Sequence, residues 1–445
     1  MIVLLKNCYV IKDWKSKPEY KNILIEGNRI VKITEENHVE GANYVDLKGR
    51  VVIPGFVQTH VHFCQTLFKG QADDLPLLVW LRTKIWPLEA SHNEESTYLS
   101  ALLSGMELIS GGTTSACVME SVRHGHMTGR AIDELGLRAV FGKVMMDYND
   151  TPEELGGMPK EFFETTKETM DSSMELYKSW NGAADKRISY ALMPRGILTT
   201  SEELLTEIKE VSEKYRILVH THACETWEES KLVQEKRGLT EIKYLDKMGL
   251  SNERLLLAHS LCIDEEDIDI LARNDIKVAS CPKANLKLAS GVAPLAKLYK
   301  SGVTISLGSD GAPCNNTLDT FEEMKFASLL QKGIYKDSTL MTAEETFKIS
   351  TIGGARALGM EMDCGSIEEG KYADITVVDF EDLGHIEPNI SNLVYSGNRN
   401  MVTDVMVHGK WLYRDREFTS LDREKIIYEG KKALISLLDR FERRG

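Results

Sequence analysis

VVIPGFVQTH, residues 51–60, is a short apolar stretch rich in β-branched residues, and seven similar stretches follow it along the chain. They are TTSACVME (113–120), RAVFGKVMM (138–146), ISYALMPR (188–195), RILVHTH (216–222), RLLLAHS (254–260), DIKVASC (275–281) and VTISLGSD (303–310). Near-continuous apolar runs are typical of buried parallel strands, and the charged segments between them are long enough for helical crossovers. Eight such units in about 300 residues predict an α/β fold of the (β/α)8 barrel type. An open doubly wound sheet is disfavoured, because no dinucleotide-binding glycine pattern follows the first strand.

The two ends of the chain have a different pattern. ILIEGNRIVKI (23–33) predicts a hairpin with a Gly-Asn turn between alternating runs. GKYADITVVDF (370–380) and DVMVHGKWLYRD (404–415) repeat the pattern near the other end. We therefore expect a small β-sandwich domain formed by both chain ends, with a helical tail over 421–443. The expected parts are 1–55 for the N-terminal portion of this domain, 56–360 for the barrel, and 361–445 for the C-terminal portion with the tail.

The composition is that of an ordinary globular protein of 445 residues, with 42% hydrophobic and 27% charged residues. The 54 basic residues are outnumbered by 68 acidic ones, and the net charge of −14 argues against nucleic acid or an anionic membrane as a partner. No stretch reaches the roughly 18–20 apolar residues of a membrane helix, and the first residues lack the features of a signal peptide. The eight cysteines are dispersed without a CxxC pair, which favours reduced thiols in a cytoplasmic protein.

Six residues with metal-binding or catalytic chemistry fall at the carboxyl ends of predicted strands: His60, His62, His220, His222, His259 and Asp310. In a (β/α)8 barrel that edge carries the functional groups. The two imidazoles of a His-x-His pair on a strand face the same way, because side chains alternate with period two. A divalent ion prefers neutral imidazoles and a carboxylate that converge from different directions. Each motif alone is weak evidence, but the ordered set predicts a metal site at this edge.

VIPGFVQTHVHF, HTHACE, LLLAHS and LGSDGAPCNN resemble motifs of the amidohydrolase superfamily, and most closely those of its metal-dependent aminohydrolase branch. That branch includes purine and pterin deaminases and s-triazine hydrolases. Further matches in the same order are FKGQADDLPLLVWL, GGTTSACVM and NLKLASGVAPL. The resemblance runs from the N-terminal hairpin to GSIEEGKYADITVVD, and therefore covers nearly the whole chain.

The resemblance implies a role for each residue of the predicted site. The ligands of one metal ion would be His60, His62, His222 and Asp310. Glu225 matches the glutamate that shuttles protons, and His259 matches the histidine beside the metal that contacts the bound water or the attacked carbon. On chemical grounds, Asp310 can also accept a hydrogen bond from that water and orient it. His220 has no fixed role in the pattern, and a buried structural role is expected for it.

The resemblance also bears on the cofactor. Two-metal relatives carry a carboxylated lysine at the end of strand four, where this chain has MetProArg (193–195). We therefore expect a single divalent ion. Zn²⁺ suits nitrogen and oxygen ligands best, and Fe²⁺ remains an alternative.

Three further residues are expected to bind the substrate. Gln65 and Arg195 match residues that contact the ring in guanine-deaminase-like members. Because a guanidinium only donates hydrogen bonds, they favour an oxo-substituted ring such as guanine or a pterin. The alternative for Arg195 is a pair with a neighbouring carboxylate. Glu89 matches a glutamate that holds ribose hydroxyls in adenosine-type relatives. Relatives that take S-adenosylhomocysteine also use an arginine after strand three to bind its carboxylate. The nearest residue in this chain is Lys143, which argues against a substrate with a carboxylate tail. The choice between free base and nucleoside stays open.

The predicted function is hydrolytic deamination of a nitrogen heterocycle. Hydroxide on the metal would attack the amino-bearing ring carbon, Glu225 would move protons, and ammonia would leave. One alternative is hydrolysis of a chloro or alkylamino group from an s-triazine. An alternative from another class is a non-catalytic barrel scaffold, which the complete ligand set disfavours. The expected partner is a small heterocyclic molecule, and a homo-oligomer remains open.

Overall fold

The computed structural model describes residues 2–152, 158–384 and 387–444. The strands in these ranges are β1 (Ile2–Val10), β2 (Glu19–Glu26), β3 (Arg29–Thr34), β4 (Asn43–Asp46), β5 (Val51–Pro54), β6 (Phe56–His62), β7 (Thr113–Glu120), β8 (Arg138–Met145), β9 (Ile188–Pro194), β10 (Leu218–Ala223), β11 (Leu255–His259), β12 (Lys277–Ser280), β13 (Ile305–Leu307), β14 (Asp310–Gly311), β15 (Ile375–Val378), β16 (Val402–Val407), β17 (Lys410–Arg414) and β18 (Glu417–Phe418).

The helices and helical turns of the same ranges are α1 (Leu77–Trp80), α2 (Trp86–Ala90), α3 (Glu94–Ser110), α4 (Gly125–Leu135), α5 (Thr166–Trp180), α6 (Ala183–Lys186), α7 (Glu202–Tyr215), α8 (Trp227–Arg237), α9 (Glu241–Lys247), α10 (Glu265–Arg273), α11 (Pro282–Lys287), α12 (Leu295–Lys300), α13 (Ala312–Asn315), α14 (Thr320–Tyr335), α15 (Ala343–Ser350), α16 (Ile352–Ala357), α17 (Ile390–Tyr395) and α18 (Arg423–Glu442). Within the described parts of the chain, no helix is long and apolar enough to cross a membrane.

A closed parallel barrel forms the centre of the molecule. Strands β6 to β12 pair in chain order, and the eighth position is shared by β13 and β14. Leu307 pairs with Gln58, and Asp310 pairs with Val61, so that the last strands return to the first and close the barrel. Nearly every residue of these strands is buried, which explains why their sequences are continuously apolar instead of alternating. The predicted (β/α)8 barrel is confirmed.

Gly308 explains why the eighth strand is broken into two pieces. A Cβ atom at this position would lie 2.6 Å from the backbone oxygen of His60 and 2.9 Å from its backbone nitrogen, so only glycine allows the close approach. The chain then continues to Asp310, which has a left-handed backbone with φ of 59°. The break therefore places the Asp310 side chain against the end of β6.

The chain ends form a second sheet beside the barrel. Its order is β18-β17-β16-β15-β5-β1-β2-β3, with β4 added beside β1. The predicted hairpins correspond to β2–β3 and β16–β17, and the predicted tail corresponds to α18. All nine strands of this domain are connected by hydrogen bonds in that order. The apolar stretch 51–60 contributes to both sheets, because Gly55 lies between β5 of the end sheet and β6 of the barrel.

Candidate active site

The carboxyl ends of the barrel strands bring the predicted metal ligands together. Ligand atoms of His60, His222, His259 and Asp310 all lie within 4.8 Å of one another. His62 belongs to the same cluster, because its Nε2 lies 3.3 Å from Asp310 Oδ1, as does the Nε2 of His60. Five residues that are widely separated in sequence therefore converge on one point. The cluster contains every residue that the sequence pattern selected as a ligand.

Hydrogen bonds at Nδ1 determine which ring nitrogen of these histidines faces the cluster. His62 donates from Nδ1 to the carbonyl oxygen of Met119 at 2.9 Å. His222 donates in the same way to the carbonyl oxygen of Arg195 at 2.7 Å. Because a neutral imidazole carries one proton, each Nε2 keeps a free lone pair. This arrangement is the usual one for imidazoles that bind a metal.

His220 controls the orientation of His60 and lies behind it. Its Nδ1 donates to the carbonyl oxygen of Leu256 at 3.0 Å, so its Nε2 is an acceptor. His60 therefore donates from Nδ1 to His220 Nε2 at 2.8 Å, and its own Nε2 faces Asp310. His220 is fully buried and is not part of the pocket lining. A buried structural role was expected for His220, and the structure shows it buried and in a positioning contact with His60.

The electrostatics of the cluster suit a cation. Burial lowers the pKa of His60 to about 4 and that of His222 well below its usual value, so both imidazoles are neutral. Burial alone would raise the pKa of Asp310, but its contacts with His60 and His62 hold that pKa well below its usual value. The buried Nε2 atoms of His60 and His259 then face carboxylate oxygens at 3.3 and 3.5 Å without an aligned hydrogen bond. Lone pairs that face each other in this way repel, and a cation between them would remove the repulsion, so the residues fit a divalent ion.

Glu225 lies beside the cluster as a carboxyl group that can hold a proton. It follows β10 and is buried, and its Oε2 lies 3.5 Å from Nε2 of His259. Burial and the charge of Asp310 raise the pKa of Glu225 well above its usual value. A carboxyl group with a raised pKa can accept and release a proton near neutral pH. The arrangement therefore supplies a general acid and base next to the predicted metal site.

His259 lies beside the ligand cluster and is held there by Asn285. Its Nδ1 donates to Asn285 Oδ1 at 2.9 Å, which leaves a lone pair at Nε2. In the neutral form this atom accepts a hydrogen bond and does not donate one. His259 can therefore orient an attacking water by accepting a hydrogen bond from it. It can stabilise negative oxygen only after Nε2 has itself been protonated.

The three predicted substrate residues form one hydrogen-bonded cluster. Gln65 Nε2 donates to Glu89 Oε1 at 2.7 Å, and Arg195 Nη1 lies 3.4 Å from Glu89 Oε2. Glu89 and Arg195 are 3% and 6% exposed, so the ion pair is buried. Of the two interpretations of Arg195, the structure shows the pair with a carboxylate. Gln65 and Arg195 line the pocket, whereas Glu89 lies behind them and connects them.

The pocket over the metal cluster has a polar floor and an apolar wall. It spans about 560 Å³ of space between protein atoms, which includes its opening to solvent. The apolar wall comes from the helical segment before residue 90 and from the loop after β9: Leu77, Leu78, Trp80, Leu81, Trp86 and Leu198. A π-helical turn, Leu81–Ile85, interrupts that segment, and such turns are frequent at functional sites.

One ionisable residue of the pocket escaped the sequence pattern, and Lys143 lies elsewhere. Glu229 lines the pocket in the first turn of α8, four positions after Glu225. From the sequence, Glu229 is only an acidic residue in the first turn of the helix that follows β10. Such residues are common in helices that have no catalytic role. Lys143 is buried and pairs with Glu164 at 2.6 Å, away from the pocket lining.

Comparison with known proteins agrees with this geometry. The sequence profile of the amidohydrolase family matches residues 51–412. A 5′-deoxyadenosine deaminase of Methanocaldococcus jannaschii is 38% identical over 444 residues, which cover 98% of this chain and 100% of that protein. A 5-methylthioadenosine/S-adenosylhomocysteine deaminase of Thermococcus onnurineus is 37% identical over 420 residues, which cover 94% of this chain and 95% of that protein.

A solved structure extends the comparison to three dimensions. The crystal structure of an adenosine deaminase from Xanthomonas campestris with bound zinc superimposes with a TM-score of 0.90. It is 30% identical, and the match covers 99% of this chain and 98% of that one. Because these relatives are enzymes that remove an amino group, the scaffold alternative is rejected. The chain belongs to the amidohydrolase family, in which it is one of the hydrolytic deaminases.

Proposed function

We propose that this deaminase acts on adenosine-type nucleosides that carry a small or apolar substituent at the 5′ carbon, with one divalent ion as cofactor. The observation that carries the proposal is the buried ion pair between Glu89 and Arg195 beside an apolar pocket wall. Arg195 already has a carboxylate partner, so its charge is not available for an anionic or oxo-substituted ring edge. The relatives described above, which are named for 5′-deoxyadenosine and 5-methylthioadenosine, support the same substrate class.

The pocket wall supports the nature of the 5′ substituent. Leu77, Leu78, Leu81 and Leu198 are apolar and lie where a methyl or thioether group would be removed from water. Burial of a methylene group contributes about 0.8 kcal/mol, so such a wall favours apolar over hydrated substituents. Gln65 lines the pocket, and its Oε1, which is buried against Gly311, has no hydrogen-bond partner among the described residues. Glu89 holds both Gln65 and Arg195 at the pocket wall.

We assign the cofactor site to His60, His62, His222 and Asp310, with Zn²⁺ as the first candidate. When bound, a divalent ion supplies a nucleophile at neutral pH, because it lowers the pKa of coordinated water to about 7. Asp310 and His259 accept hydrogen bonds from the attacking water and aim it at the amino-bearing carbon. Glu225 takes a proton from the attacking water and delivers it to the adjacent ring nitrogen, which makes that carbon more electrophilic. The remaining proton of the added hydroxyl group then passes through the same carboxylate to the departing amine, so ammonia leaves and the oxygen stays on the ring carbon.

A substrate panel tests the proposal directly. Ammonia release would be measured with 5′-deoxyadenosine, 5′-methylthioadenosine, adenosine, adenine, guanine, a pterin and an aminotriazine. We expect the highest kcat/KM for the two 5′-modified nucleosides, a lower value for adenosine and the lowest values for the free bases. A higher kcat/KM for guanine or the pterin would restore the oxo-ring interpretation of Arg195. A preference for the aminotriazine would favour the s-triazine alternative.

A further inference from the structure

The residue before Glu225 has an unusual backbone conformation. Cys224 has φ of 56°, in the left-handed region that residues other than glycine, asparagine and aspartate rarely adopt. Such a conformation costs on the order of 1–3 kcal/mol and persists only where neighbouring groups impose it. The conformation turns the chain between His222, which lies at the end of the strand, and Glu225, which faces the pocket. Whatever holds Cys224 therefore also fixes the direction of the Glu225 side chain.

Glu241 holds the Cys224 peptide from one side. It is the first residue of α9 and is 2% exposed. Its Oε1 accepts the backbone N–H of Cys224 at 3.3 Å and the hydroxyl of Ser230 at 2.8 Å, and its Oε2 accepts the Cys224 thiol at 3.5 Å. On the other side, the Cys224 carbonyl accepts the N–H groups of Leu261 and Cys262 at 2.8 and 3.1 Å. The backbone of Cys224 is thus held both at its N–H group and at its carbonyl oxygen.

The buried carboxylate of Glu241 is stabilised by hydrogen-bond donors and by the N-terminus of α9, where it is the first residue. Among the described residues, no lysine or arginine forms an ion pair with Glu241, and Glu241 is not part of the pocket lining. Burying a carboxylate without a cation is costly unless donors converge on it, and here the donors come from the loop that carries Glu225 and from α8. The metal ligand in the same segment, His222, is fixed by its own separate hydrogen bond to the Arg195 carbonyl. The Glu241 contact therefore acts on the segment after the ligand.

We propose that Glu241 is a positioning residue for proton transfer, because it fixes the Cys224 peptide and thereby holds Glu225 at the reacting atoms. The inference rests on the proposed role of Glu225 as the proton carrier. It predicts that loss of Glu241 affects the chemical step and leaves substrate binding and metal binding intact. A displacement of about 1 Å in a catalytic group can lower a rate by about 100-fold, so the expected effect is measurable.

Two substitutions separate the hydrogen bond from the volume of the side chain. Glu241→Met keeps the length of the side chain but removes both acceptor oxygens, and we expect kcat to fall about 10- to 100-fold with KM changed less than about threefold. Glu241→Gln retains one acceptor oxygen for the Cys224 N–H and should recover most of the loss. Both variants should bind one metal ion per chain. Asp404→Asn is the control, because Asp404 is a 3% exposed carboxylate in the end sheet that accepts the Asp415 N–H at 3.0 Å; its kcat should equal that of the wild type.

A double substitution decides whether Glu241 acts through Glu225. In a Glu225→Gln background, Glu241→Met should lower kcat by less than about twofold, because the group that it positions is already inactive. If Glu241→Met lowers kcat as much in the Glu225→Gln background as in the wild type, the proposal is overturned. It is also overturned if Glu241→Met has the kcat of the wild type, or if it changes only KM or the metal content. If Glu241→Met does not fold, Glu241→Asp, which withdraws the carboxylate by one methylene, must show the kcat loss. A wild-type protein without deaminase activity would instead refute the proposed function.

Discussion

Replacing Glu89 by Gln tests the buried cluster on which the substrate assignment depends. The substitution keeps an acceptor for Gln65 but turns an amide N–H₂ group toward the Arg195 guanidinium, so one charge-assisted contact is lost and a buried cation is left without its partner. A hydrogen bond to a charged group contributes about 1.5–3 kcal/mol, which corresponds to a fall in kcat/KM of about 10- to 150-fold if the loss falls on the transition state. Removal of one partner of a buried pair also lowers the free energy of unfolding by about 3–5 kcal/mol.

The assay follows the loss of ultraviolet absorbance of 5′-deoxyadenosine and of adenine, with thermal unfolding measured in parallel. Glu95→Gln is the control, because Glu95 is exposed on the first turn of α3. If Glu89 acts by holding Gln65 and Arg195, kcat/KM should fall for both compounds; a fall for the nucleoside alone would mean that Glu89 binds the ribose directly. Activity within about twofold of the wild type on both compounds would refute the reasoning, since it would show that the ion pair has no part in the site.

Three further substitutions test the assigned roles. Glu225→Gln should keep one bound ion while kcat falls by about 100- to 10,000-fold, and loss of the ion from a folded variant would show that Glu225 is a ligand. Asp310→Asn should lose at least about 100-fold in kcat with unchanged circular dichroism, because it removes the charge that orients the water; near-normal rates would transfer that role to His259. His220→Phe should weaken zinc binding by about 10- to 100-fold in a chelator competition, since it leaves His60 without its Nδ1 acceptor, and an unchanged Kd would disprove that contact.

The barrel and its reactive edge were predictable because both depend on local patterns. A buried parallel strand must be apolar along its whole length, and the residue that follows it lies at the functional edge. The amino-acid sequence alone therefore predicts that His60, His222 and Asp310 lie near one another. The expected boundary between residues 55 and 56 falls beside Gly55, where the stretch 51–60 passes from the end sheet to the barrel. Composition alone does not mark this division, because buried strands of the two sheets are equally apolar.

Contacts between distant parts of the chain were beyond the reach of these patterns. The pair between Glu89 and Arg195 joins residues 106 positions apart, and the sequence gives each of them several plausible partners. Glu241 and Glu229 were missed for a related reason. An acidic residue in the first turn of a helix is favourable for the helix itself, so its sequence does not indicate a second role.

Metal titration with a simultaneous activity measurement tests the central claim of a deaminase that depends on one divalent ion. Protein stripped with a chelator would receive Zn²⁺ in steps while ammonia release from 5′-deoxyadenosine is recorded. The account predicts no activity without metal and a linear rise that ends at one ion per chain. Full activity in the stripped protein, or a rise that continues to two ions per chain, would contradict it.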